Sequence, residues 1–141
     1  MLYKIFITSI FMGFLFFSCE KTASKYADCT EEDYENCVID EPFYGAVNVR
    51  ITINDENPEV KLVFFDGNYE SQDTVWVDTI SSRSSTYYFD LNNTYSAAAY
   101  YKSGDNTIIA VDGGWLDLYT YTMCEYTCYG IIELDLDLRL K

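Results

Sequence analysis

The chain has 141 residues, 23 acidic against nine basic, and a formal net charge of −14. So acidic a balance repels phosphate backbones and excludes nucleic acid as a partner. Histidine is absent, which removes the usual base of serine and cysteine hydrolases and the commonest zinc ligand. With 49% hydrophobic and 18% aromatic content, the chain lies far from the disordered class.

The first element is an export signal. Lys4 precedes an apolar run over residues 5–17 (IFITSIFMGFLFF). That run is shorter than the about 20 residues a membrane span needs, so it reads as a signal-peptide core. Phe17-Ser18-Cys19, a small residue directly before a cysteine, resembles the lipobox of bacterial lipoproteins, in the looser Phe-tolerant form of the Bacteroidota. The resemblance implies removal of residues 1–18 and acylation of Cys19. The partner it implies is the membrane, reached through a lipid anchor of two or more chains. Residues 19–41 then form an acidic tether and residues 42–141 a single domain. Just behind Cys19, Glu20 to Lys25 carry one acid and two lysines. Surface-export signals of that phylum have an acidic cluster there, so the leaflet, periplasmic or external, stays open.

From Pro42 onward the apolar residues recur with period two, the mark of half-buried strands. Val47, Val49, Ile51 and Ile53 share one face of a first strand over residues 45–54, and 55–58 read as a turn. Val60, Leu62 and Phe64 continue the inward set up to the turn at Asp66-Gly67-Asn68. A third strand covers residues 73–80, and 81–85 are a loop. Tyr87, Phe89 and Leu91 face inward next, followed by Tyr95, Ala97, Ala99 and Tyr101. Ser103-Gly104-Asp105-Asn106 is a hairpin signal leading into residues 107–111, and Asp112-Gly113-Gly114 punctuates again. The closing strand puts Ile132, Leu134, Leu136, Leu138 and Leu140 on one face. No long helix is expected. Seven to eight short strands with turn signals between them predict an all-β chain, an antiparallel β-sandwich of immunoglobulin-like or transthyretin-like kind.

With Cys19 acylated, Cys29, Cys37, Cys124 and Cys128 remain, an even number in an exported chain. They predict two disulfides, with three connectivities open. Crossed pairing between the tether and the segment before the last strand closes the longer loops, and chain entropy favours it. The wide 29–37 spacing does not suit a zinc knuckle, so no metal is expected.

The most distinctive local stretch is residues 115–129 (WLDLYTYTMCEYTCY). If it is extended, Trp115, Asp117, Tyr119, Tyr121 and Met123 share one face while Leu116 and Leu118 serve the core. With Tyr126 they form an aromatic and acidic row suited to an envelope protein or to a glycan. Glu133, Asp135 and Asp137 are about 6.6 Å apart along a strand, too far for one calcium shell, and read as a solvated face. The loop 54–57 is explained as a turn. No spacing picks out a carboxylate pair for hydrolysis, so no catalytic residues and no cofactor are expected.

Phe17-Ser18-Cys19, Thr107 to Gly113, the Cys124 and Cys128 pair and the closing Leu134 to Lys141 together look like small exported lipoproteins of the Bacteroidota. That resemblance implies a one-domain sandwich lipid-anchored at the outer membrane. It carries over no active-site residues. The expected role is a non-catalytic protein-binding or assembly module, with glycan capture by the same row as the alternative.

Overall fold

A computed structural model describes residues 29–141; the expected export signal, the expected acylation site Cys19 and the first part of the expected tether lie outside the described residues. Eight strands form two sheets. They are β1 (Tyr44–Arg50), β2 (Val60–Asp66), β3 (Thr74–Ile80), β4 (Ser84–Asp90), β5 (Asn93–Ser103), β6 (Asn106–Met123), β7 (Tyr126–Ile132) and β8 (Leu134–Asp137). One sheet has the order β4-β1-β8 and the other β3-β2-β5-β6-β7. Every ladder is antiparallel except β1 with β8, which runs parallel from Val47↔Leu134 to Arg50↔Asp137.

The period-two pattern works because each strand lends one face to a shared core. Val47 and Val49 of β1, Leu62 and Phe64 of β2, Tyr95, Ala97, Ala99 and Tyr101 of β5, and Leu134, Leu136 and Leu138 at the end meet between the sheets. Phe64 packs against Tyr87 and Phe89 at 4.6 and 5.2 Å between centroids. Polar ties join the sheets as well. The Tyr101 hydroxyl donates to the Leu138 carbonyl (2.7 Å) and accepts from the Thr52 N–H (3.1 Å). One Asp112 carboxylate oxygen accepts from the Asp137 N–H at 2.8 Å.

Several expected boundaries move. The first strand stops at Arg50, opposite Ser84 where β4 begins, although Ile51 and Ile53 still pack on the core. Asp112-Gly113-Gly114 does not interrupt the chain; β6 runs through it unbroken. Those glycines make room instead. A Cβ on Gly113 would lie 2.9 Å from Ser96 Cβ, and one on Gly114 would lie 2.8 Å from Leu134 Cδ1. The closing strand is really two. Ile132 ends β7 and is exposed, while Leu134 begins β8 in the other sheet.

The loop at 54–57 is engaged internally. The buried Asn57 amide both accepts from the Lys102 N–H (2.7 Å) and donates to its carbonyl (3.1 Å), extending the edge of β5. Before the domain, a single helical turn, α1 (Glu31–Glu35), starts on a capping box in which Thr30 and Asp33 bond each other's backbone N–H. Thr30 holds the Asp33 carboxyl below its ordinary range by those hydrogen bonds.

Candidate functional site

β6 is the longest strand, and its two halves have different partners. Residues 106–116 pair with β5, and residues 117–123 pair with β7. One face of the strand therefore runs from the outside of the sandwich onto a projecting hairpin. The odd-numbered residues hold that face, opposite the core-facing Ala110 and Leu116. Ile109, Val111, Trp115 and Tyr119 are 43, 44, 53 and 47% exposed. Beside the first part of the row, on the same face of β5 and β2, lies a small second cluster of Val63, Phe65 and Ala98, packed against Tyr69 and Tyr100. Ser96, paired with Gly113 in the ladder, buries its hydroxyl there without a partner among the described residues. An unmade bond of that kind costs about 1–3 kcal/mol.

The expected row divides into a part clear of the N-terminal segment and a part in contact with it. Trp115 and Tyr119 are open, and the Tyr119 ring lies across Gly130, where any Cβ would collide with it. Asp117 is half-buried, and its carboxylate accepts from the N–H of the following residue, Leu118. Tyr121 and Tyr126 meet the chain's own N-terminal segment. The Tyr121 hydroxyl donates to the Asn36 carbonyl at 3.1 Å, and Tyr126 stands edge-on to Tyr34 at 5.9 Å. Tyr121 is half-buried by this contact, while Tyr126 touches the tether with one edge and stays 50% exposed. Leu116 is buried as expected, whereas Leu118 is only half-buried.

The covering segment is held there covalently. Cys29 bonds Cys124 and Cys37 bonds Cys128, partners 95 and 91 residues apart, which is the crossed pairing. Val38 adds a bridge to Tyr129, its carbonyl accepting the Tyr129 N–H at 2.8 Å. Residues 29–39 are thus a clasp over the hairpin and not a free tether.

The acidic face of β8 assembles no cation site. Asp137 is gripped by Arg139 through Nε and Nη2 at 2.7 and 2.8 Å, and that bonding holds its carboxyl far below the ordinary range. Glu133 accepts from Asn48 at 2.9 Å. Among the described residues no three His, Cys, Asp or Glu side chains are grouped to hold a metal ion.

Pattern reading missed a second aromatic group. Tyr44, Trp76 and Tyr88 are 62, 53 and 71% exposed and line one groove between the edges of β3 and β4. Their only sequence signal is large aromatics in short strands, which is equally the signal of a core. No protein-family model, no curated protein and no solved structure matches the chain.

Proposed function

We propose that the chain is a non-catalytic lipoprotein module of the bacterial cell envelope, anchored at the outer membrane through Cys19, that docks another envelope protein by the outward face of β6. The observation that carries the reading is the alignment of Ile109, Val111, Trp115 and Tyr119 on one side of one strand, each between two-fifths and just over half exposed. Apolar and aromatic residues in such a row are those enriched at the centres of protein interfaces. The antiparallel sheet beneath it and the disulfide-held hairpin keep the row fixed, so little ordering opposes binding. The signal and lipobox-like segment supply the location, and the acidity keeps the domain soluble beside the membrane.

A photo-reactive residue at Val111 in the intact envelope tests the reading. A discrete protein adduct is expected, lost when Trp115→Ala and Tyr119→Ala are combined. A glycan signal abolished by the same pair would transfer the site to sugar. In parallel, Cys19→Ser should release the protein from the membrane fraction; retention would remove the anchor.

A further inference from the structure

The groove between the sheet edges lies away from the β6 row, at the far margin of the five-stranded sheet. Its volume is about 340 Å³, within the range of small-molecule sites. Trp76 and Val75 come from the edge strand β3, Tyr88 from the edge strand β4, and Tyr44 from β1 beside it. The less exposed Phe89 and Tyr95, stacked at 4.9 Å, close it toward the core. Trp76, Tyr44 and Tyr88 make no ring–ring contact among the described residues, so their faces are available.

The polar groups there are arranged as acceptors. Asn93 donates through Nδ2 to Asp66 Oδ1 at 3.1 Å and lies 3.4 Å from the Tyr95 hydroxyl, while its own Oδ1 accepts from Thr94 N–H. Asn93 therefore positions Asp66 and leaves its second oxygen free. The Tyr95 hydroxyl donates to the Asp90 backbone carbonyl, which leaves the Asp90 carboxylate without a partner among the described residues. Two acceptors thus sit beside three open aromatic faces.

We infer that this groove binds a neutral pyranose unit of a glycan chain. A sugar ring presents a C–H face that stacks on an aromatic ring and a rim of hydroxyls that donate to carboxylates. The net charge of −14 and the two local carboxylates disfavour an acidic sugar. An organic ammonium also likes aromatic faces, but it is held by rings that enclose it. Rings between half and three-quarters exposed offer one face each, which suits a flat sugar.

The chain has two tryptophans, so Trp115→Phe makes Trp76 the sole tryptophan reporter. Purified full chain carrying that substitution is titrated with neutral gluco-, manno- and xylo-oligosaccharides and, separately, with tetramethylammonium. Calorimetry on the unsubstituted chain repeats the titration without relying on the substitution. A saturable change in Trp76 emission with a neutral oligosaccharide is expected. Tyr88→Ala and Asp90→Asn should each weaken it about tenfold (~1.4 kcal/mol), while Tyr119→Ala leaves it unaltered. Both altered side chains are exposed, and an unchanged urea midpoint confirms that the fold is kept. No saturable response to any sugar, a response to tetramethylammonium alone, or indifference to both groove substitutions would each overturn the inference. None of these outcomes bears on docking through β6.

Discussion

The sandwich body and the β6–β7 hairpin are built from the same kind of strand and held together by different means. In the body, alternate residues of seven strands are removed from water around Phe64, Leu62, Tyr101 and Leu136, and burial supplies the stability. In the hairpin, between Asp117 and Ile132, the only buried side chains are Cys124 and Cys128. A two-stranded ribbon alone is marginal in water. Here two disulfides to residues 29 and 37 supply what a core does elsewhere. The difference teaches where covalent bonds belong in a small sandwich domain: at the part that projects beyond the reach of the core. It also explains why the aromatic row changes character along β6. Over the body it faces outward on a finished sheet; on the hairpin its last members must hold the clasp.

The comparison breaks most severely at the core. Phe64→Ala removes a fully buried ring packed on Tyr87 and Phe89 and should lower stability by about 4 kcal/mol. Urea denaturation would show it as one lower midpoint, with all backbone amides of the body exchanging faster. Replacing Cys37 and Cys128 together by Ser comes next, at about 3 kcal/mol in global unfolding. Its signature in native-state hydrogen exchange is different. Amides of 117–132 should lose protection while β1, β2 and β5 keep theirs. Equal loss in both regions would show that the hairpin and body form one cooperative unit.

Alkali should act on the body. Burial, with the Asp78 carboxylate at 2.8 Å, pushes the Tyr87 hydroxyl up to about 12, and burial raises Tyr95 and Tyr101 as well. A tyrosine is neutral when protonated, so a raised folded value means the folded state holds the proton more tightly. The stabilisation is complete below the unfolded value of about 10. It is lost as pH rises through the folded values, toward about 12 for Tyr87. Unfolding midpoints should stay level to pH ~10 and fall above it, and Tyr87→Phe should flatten that fall.

The strands of the body were legible in the sequence because their core is one-sided. Val47 and Val49, or Leu134, Leu136 and Leu138, alternate with polar residues, and burial follows the alternation. Period two is blind to which sheet a strand joins. Ile132 extends the leucine series without a break, yet the chain crosses between sheets at Glu133. Glycines mislead for a related reason, since Gly113 and Gly114 mark close approach as readily as a turn. In the candidate site, the faces of Trp115 and Tyr119 followed from spacing. The contacts of Tyr121 and Tyr126 with the N-terminal segment depended on which cysteines pair, and spacing alone left that open. The groove of Tyr44, Trp76 and Tyr88 joins three strands from two sheets, and no local pattern encodes such a meeting.

The smallest expected effect sharpens the comparison most, because it alters only the hairpin. β6 and β7 are joined by a two-residue loop, Cys124-Glu125, between the paired Met123 and Tyr126. Both loop residues have positive φ, +50° and +71°, as a tight hairpin of this twist requires. A left-handed conformation costs a residue with a Cβ about 1–2 kcal/mol. Cys124 must bear that cost because its sulfur anchors Cys29. Glu125 carries no such duty; its side chain is exposed. Glu125→Gly removes the steric penalty, and the greater chain entropy of glycine returns about 0.5–1 kcal/mol of it. The net gain is about 0.5 kcal/mol, or roughly twofold slower opening. Hydrogen exchange should slow by that factor between residues 117 and 132 and remain unchanged in β2 and β5. If the body slows equally, the hairpin does not open on its own, and the disulfides would then stabilise the whole domain through its unfolded state.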